Sequence, residues 1–288
     1  MASFKKRLAT NVPGDFYVDD TCIDCDTCRW MAPEIFSDKD GQSYVHRQPA
    51  SPEETLRALK ALVACPTASI GTVERHEMKP VFEALPDRVA ENVYHCAFHS
   101  ENSFGAAPYL IVRPEGNILI DSPRFAAPLV KRLEVLGSVR TLFLTHGDDV
   151  ADHEKFHDHF GSERILHADD VRASTQGIER KLEGRAPVVF DDEILLIPTP
   201  GHTKGSVCLL YREKFLFTGD HLAWDDEENH LEAFRNACWY DWDAQRESMK
   251  RLLDYRFEWV LPGHGRRVHL PADRMREEVR RCVDWMAY

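Results

Sequence analysis

Residues 144–153 read LTHGDDVADH, and the fold of the larger part of the chain turns on this stretch. An apolar run, RTLFL (140–144), leads into His146, and the stretch closes on the adjacent pair Asp152 and His153. Between them lie Gly147, Asp148, Asp149, Val150 and Ala151. Strand ends converge along one edge of a sheet, so donors placed there can meet around a metal ion. One histidine after a strand is commonly a satisfied loop residue, and the reading therefore depends on what other strands deliver.

Three more apolar runs end in a donor: IPTPGH at His202, LFTGD at Asp220 and VLPGH at His264. Each of these has a glycine just before the donor, which lets the backbone turn sharply and bring a short ligand inward. Around them, PYLIVR, NILID, RTLFLTH, RILHA, EILLIPTP, SVCLLYR, KFLFTGD and EWVLPGH read as strands. Helical patterns fall at about 125–136, 151–160, 241–254 and 272–286. Strands outnumber helices, which predicts a layered α/β fold with more than one sheet.

In their order and spacing, TH with DH, PTPGHTKGS, FTGD and LPGHG resemble the metallo-β-lactamase superfamily over residues 91–288, and ILIDSP resembles its early strand ending in Asp121. The resemblance implies an αββα sandwich with a one- or two-metal site on its edge, and hydrolytic chemistry. It implies that His146 and His202 hold one metal, that Asp152, His153 and His264 hold the other, and that Asp220 bridges them. Asp152 is then also the catalytic residue that orients or deprotonates the attacking water.

The departure lies in the opening stretch. The family motif is HxHxDH, whereas here Asp148 stands at the second histidine's place and two extra residues precede the Asp-His pair. Asp148 is the expected replacement donor, with Asp149 the alternative. Exchanging an imidazole for a carboxylate favours iron or manganese, with zinc still compatible. Di-iron members of the superfamily linked to a flavin domain carry a similar exchange, but no flavodoxin-like segment follows residue 270. His153, Glu154 and His157 also spell HExxH, the zincin pattern, but that reading leaves PTPGHTKGS, FTGD and LPGHG unexplained.

Nearer the start, CIDCDTC places Cys22, Cys25 and Cys28 at two-residue gaps, and ACPTASIG supplies Cys65 before Pro66. Three thiolates in a tight loop plus one distant thiolate can reach the corners of a cubane, whereas a zinc site typically pairs two C-x-x-C knuckles or adds histidines. DDTCIDCDTCRWMAPEIF followed by ALVACPTASIG resembles a single-cluster bacterial-type ferredoxin, and four cysteines at the expected places imply a [4Fe-4S] cluster. DFYVDD and SYVHR read as short strands, and SPEETLRALKALVAC as a helix that returns Cys65 to the loop. The domains expected are thus a small α+β ferredoxin-like domain at 1–75, a linker at 76–90 with its Pro80 and Pro86, and the αββα domain at 91–288.

The formal charge of −12 lies mostly beyond residue 75 and disfavours generic nucleic-acid binding. No run approaches the roughly 18 apolar residues of a membrane helix, and the first thirty residues lack a signal-peptide core, so a cytoplasmic protein is expected. The partners expected are a small-molecule substrate and a redox partner. Two functions stay open: a metal-dependent hydrolase carrying the cluster, and an iron-dependent oxidoreductase in which the cluster supplies electrons. CWYDW at 238–242 reads as core or as a pocket wall, Lys204 and Ser206 as rim residues, and Cys208 as core.

Overall fold

A computed structural model describes residues 1–288, which divide into two compact units. The first comprises Met1–Arg140 and Ala151–Gly161, the second Thr141–Val150 and Ser162–Tyr288.

In the first unit, strand Phe16–Val18 pairs antiparallel with Ile70–Thr72, and Phe36–Lys39 forms a hairpin with Gln42–Val45. Helix Pro52–Ala64 starts where the sequence sets it. The Ser51 hydroxyl accepts from the Glu54 N–H, Pro52 occupies the first turn, and Glu53 and Glu54 face the positive end of the helix dipole. Its inner face buries Ala58, Leu59, Ala61, Val63 and Ala64. Small residues there let the helix approach its neighbours closely, and Cys65 follows as its last cap.

The stretch 76–90 holds a short helix Lys79–Glu83 and a strand Asp87–Ala90. That strand opens an antiparallel meander with Val93–His95, Tyr109–Ile111 and Ile118–Ile120. Helices Ala127–Val135 and His153–Phe160 complete the unit and meet through His159 and Glu134 at 2.9 Å. Phe125 packs edge-to-face on Phe156 with centroids 5.0 Å apart.

In the second unit, Thr141–Phe143, Glu163–His167 and Arg180–Leu182 run parallel. A six-stranded sheet has the order Val188–Asp191, Ile194–Pro198, Val207–Tyr211, Phe215–Gly219, Trp259–Pro262, Val268–His269. Its pairs are antiparallel except Phe215–Gly219 with Trp259–Pro262, which are parallel and joined through helix Trp242–Leu252. Every residue of Val207–Tyr211 and Phe215–Gly219 is buried, as continuous apolar runs require. One face packs Ile197, Cys208, Leu210, Leu216 and Val260 against Met249 and Leu252, and against Met275, Val279 and Cys282 of helix Ala272–Trp285. Burying each such aliphatic side chain contributes roughly 1.5–3 kcal/mol before entropy is charged against it.

The eight apolar strands and four helices read from the sequence in residues 91–288 are all present. Strands it did not give include Arg180–Leu182, Ala223–Asp225 and Val268–His269, which are two or three residues long and partly polar. They exist because a neighbouring edge pairs with them. No helix is long and apolar enough to cross a membrane.

Candidate metal centres

The parallel pairing of Phe215–Gly219 with Trp259–Pro262 puts Gly219 opposite Pro262, so the residues that follow leave the sheet side by side. Asp220 and His264 therefore meet, with His264 Nδ1 2.8 Å from both carboxylate oxygens and the His264 N–H donating to Oδ1 at 3.2 Å. Gly263 permits this approach: a Cβ there would lie 2.9 Å from Asp220 Oδ1 and 3.1 Å from Asp149 Oδ2.

His146 and His202 reach the same place from the ends of Thr141–Phe143 and Ile194–Pro198, with rings perpendicular and centroids 4.7 Å apart. The His202 Nδ1–H donates to the Ala237 carbonyl at 2.6 Å, which fixes that tautomer and turns the Nε2 lone pair inward. His146 Nδ1 lies 3.0 Å from the Thr145 hydroxyl, so its Nε2 also faces the centre. Both Nε2 atoms are buried without a hydrogen-bond partner. They stand 3.8 and 3.7 Å from the same atom, Asp220 Oδ2.

The two adjacent acids Asp148 and Asp149 both come to this centre. Asp148 Oδ2 is 3.5 Å from His202 Nε2, and Asp149 Oδ2 is 3.7 Å from His146 Nε2. Two donor groups result, His146 with Asp148 and His202, and His146 with Asp149 and Asp220, each with ligand atoms within 4.8 Å of one another. Asp148 and Asp149, alternatives in the sequence, thus occupy separate places: Asp148 is part-exposed and paired with Arg172 at 2.6 Å, whereas Asp149 is buried.

Burial and the neighbouring His202 charge push His146 down to about 4, against the pull of Asp220 and Asp148, so its ring is neutral at pH 7. The His202 ring beside it holds Asp148 down at about 2, helped by His146 and Arg172. Burial works to raise Asp220, yet His264, His146 and His202 keep it below the usual carboxylate range. Burial works to lower His202, yet Asp148 and Asp220 raise it, so its proton must leave when a cation binds, whereas His146 is already neutral and the carboxylates are ionised; the two buried Nε2 atoms fit a divalent ion.

Asp152 and His153 belong to the first unit and to neither donor group. Asp152 accepts from the Phe125 N–H and the Lys155 ammonium, each at 2.8 Å, and His153 is buried at the start of helix His153–Phe160. Burial works to raise the Asp152 carboxyl, and Lys155 and the Phe125 N–H bring it below its ordinary value.

One contributor was missed in the sequence. Asp170 is buried and accepts from the Gly147 N–H at 2.9 Å, the Thr203 hydroxyl at 2.5 Å and the Gly205 N–H at 2.7 Å, tying the His146 turn to the His202 turn. ADD at 168–170 carries no motif that marks it. Trp239 and Tyr240 of CWYDW are exposed, the Trp239 ring 6.2 Å from that of His202, while Trp242 packs on the core as Cys208 does within it.

In the first unit, Cys22, Cys25, Cys28 and Cys65 line one concavity together with Val18, Ile23, Thr27, Ser43, Thr67, Ser69 and Ile70. Asp24 and Asp26 adopt left-handed backbone angles, φ 60° and 62°, which curl the loop so that its cysteines face one way. Burial pushes the Cys25 thiol up, and Thr27 opposes this with side-chain and backbone hydrogen bonds. Four soft donors around a largely apolar cradle fit a cubane cluster.

Residues 18–72 match the family model described as the 4Fe-4S single cluster domain of Ferredoxin I. Over 124 residues the chain is 32% identical to a hydroxyacylglutathione hydrolase from Citrobacter koseri, covering 40% of this chain and 46% of that relative. The chain thus spans about half the length of the curated relative it matches. Among solved structures, it superposes on DIM-1 metallo-β-lactamase with a TM-score of 0.54 at 18% identity, covering 69% of this chain and 95% of that one. A metallo-β-lactamase from Pontibacter korlensis gives 0.52 at 16% identity over 69% and 97%. The larger part of the chain therefore has the metallo-β-lactamase αββα fold. A small ferredoxin-type 4Fe-4S domain precedes it.

Proposed function

We propose that the chain is a metal-dependent hydrolase of a small acyl substrate, in which the iron–sulfur cluster has a structural or redox-sensing role. The observation that carries this reading is the pair of buried, unpartnered Nε2 atoms of His146 and His202 facing Asp220 Oδ2. His146, His202, His264 and Asp220 would hold the metal, joined by Asp149 on one side and Asp148 on the other. A divalent ion there supplies Lewis acidity and lowers the pKa of bound water toward neutrality.

The chain's own residues set the rest. Asp220 keeps its charge between three imidazoles and holds their nitrogens toward one point. Asp148, ionised and reached by solvent, is placed to orient water through its carboxylate. The exposed Trp239 indole beside His202 offers an apolar wall, and the Arg172 guanidinium, already on Asp148, offers positive charge to an anionic substrate. The relative's name, a hydroxyacylglutathione hydrolase, supports thioesters as the first substrate class to assay.

A second reading is favoured by the donor chemistry. Three carboxylates among six donors suit iron or manganese better than zinc, and a redox-active ion in a chain that also carries a cluster domain suits an oxidoreductase. Metal analysis and EPR of anaerobically purified protein, with thioester hydrolysis measured at each cluster oxidation state, separate the two. Hydrolysis indifferent to the cluster's state supports the first reading, and activity only with an electron donor supports the second. Cys25→Ser should abolish the cluster signal and leave the other metal in place.

A further inference from the structure

We infer that His95, His99 and Thr27 form an oriented hydrogen-bond chain that ends on the Cys25 sulfur and raises the reduction potential of the cluster. The inference rests on the 4Fe-4S domain and goes beyond it, because two of its three members lie outside the matched residues 18–72.

All three residues are buried, Thr27 at 1% and His95 and His99 at 0% relative exposure. His99 Nδ1 lies 2.7 Å from the Gly105 carbonyl oxygen and 3.1 Å from Thr27 Oγ1. A carbonyl only accepts, so Nδ1 carries the proton and the neutral ring keeps its lone pair on Nε2. That lone pair is 2.7 Å from His95 Nε2, which must then be the donor. A neutral His99 thus sets the direction of both links.

The consequence falls on Thr27. Its hydroxyl hydrogen has no lone pair to meet at His99 Nδ1, and Cys25 Sγ lies 3.5 Å from the same oxygen, a contact in which a free Cys25 thiol would donate to Thr27. As a cluster ligand Cys25 is a thiolate and can only accept, so the Thr27 O–H donates to it. His95 thus donates to His99, His99 shares its Nδ1–H with Thr27, and Thr27 donates to sulfur. The rings are held in place: Trp30 lies edge-on to His95 with centroids 4.9 Å apart, and Tyr109 packs at 5.9 Å. Gly105 also closes over the ligand itself, since a Cβ there would lie 2.8 Å from Cys25 Cβ.

Reduction adds one electron, taken from a one-electron carrier such as a reduced flavin or iron–sulfur protein, and makes the cluster more negative. A donor aimed at a ligand sulfur stabilises that state more than the oxidised one. Thr27 touches the ligand; His99 and His95 act through it as positioning residues.

The test is a mediated redox titration of the full-length protein, purified anaerobically and followed by EPR, with iron content measured in parallel. Thr27→Val should lower the reduced-to-oxidised ratio at a fixed applied potential about tenfold, equivalent to about 59 mV for one electron. Thr27→Ser should keep the wild-type potential. His99→Leu should shift the potential in the same direction, and adding it to Thr27→Val should cause no further shift. His99→Asn, whose amide nitrogen falls near the position of Nδ1, should recover most of the potential, whereas His99→Gln should not. An unchanged potential in Thr27→Val, or equal potentials in His99→Asn and His99→Gln with full iron content, would overturn the inference. Those two His99 variants stay decisive if His99→Leu loses its cluster. Wild-type protein that takes up no four-iron cluster would instead contradict the domain reading itself.

Discussion

The carboxylate of Asp170 holds the backbone N–H of Gly147 at 2.9 Å, and the same side chain holds Thr203 and Gly205. His146 and His202 thus sit on two turns fastened to one buried acid. Asp170→Ala should leave those donors unsatisfied and lower metal affinity about 10- to 100-fold, as loss of outer support around a metal ligand commonly does. Equilibrium dialysis against the divalent ion measures this. Unchanged affinity would show that the turns hold their shape without Asp170.

Asp148 and Asp149 should respond differently to the same change. Asp149→Asn replaces a buried carboxylate between His146 and Gly263 and should remove metal from the group that contains Asp220. Asp148→Asn should weaken the other group and also release Arg172, so its effect should extend to the KM of anionic substrates. Metal stoichiometry and steady-state kinetics on both variants decide this. Identical behaviour would contradict their separate placement.

Gly263→Ala puts a methyl group 2.9 Å from Asp220 Oδ1 and 3.1 Å from Asp149 Oδ2. Asp220 cannot withdraw without losing its contacts to His264, so overpacking should cost about 1–3 kcal/mol. Because the strain is lodged at the donors, metal content should fall as well. Thermal unfolding with and without metal is the measurement.

Glu179 stabilises the second unit in a pH-dependent way. Burial works to raise its carboxyl, but hydrogen bonds from the Arg164 side chain and backbone N–H lower it to about 2 from an unfolded value near 4.5. A depressed carboxyl contributes stability above its unfolded pKa and loses it as pH falls through the folded one. The loss should therefore run from about pH 4.5 to about pH 2. Glu179→Gln should remove this dependence and cost about 1–3 kcal/mol at neutral pH, since the buried Arg164 guanidinium loses its counterion. Denaturant titrations across that window check the sign.

The legible parts of the molecule are those where one residue type has one use. Apolar strands that end in Gly-His or Gly-Asp gave His202, Asp220 and His264, and C-x-x-C-x-x-C with a distant Cys-Pro gave the cluster cradle. The turn at 147–151 was less legible, because two adjacent acids can both reach the centre and only the backbone path decides which nitrogen each one meets. Asp152 and His153 fit the family pattern by order; in the first unit Asp152 accepts from Phe125 and Lys155, and His153 opens the helix His153–Phe160. Asp170 was invisible because its partners are two backbone amides and a hydroxyl, which leave no spacing signature. Short polar strands such as Arg180–Leu182 likewise carry no pattern of their own.

The chain passes between its two compact units at residues 140–141, 150–151 and 161–162. The ten-residue piece Thr141–Val150, which carries His146, Asp148 and Asp149, is thus spliced into one unit from the middle of the other's sequence. No single cut of the polypeptide separates the two units, because each carries a segment of the other along with it. A fragment that ends at Arg140 lacks the Ala151–Gly161 part of the first unit, and one that begins at Ser162 lacks Thr141–Val150 and with it His146, Asp148 and Asp149, so truncation on either side of this exchange strips one unit of a piece that lies far from it in sequence.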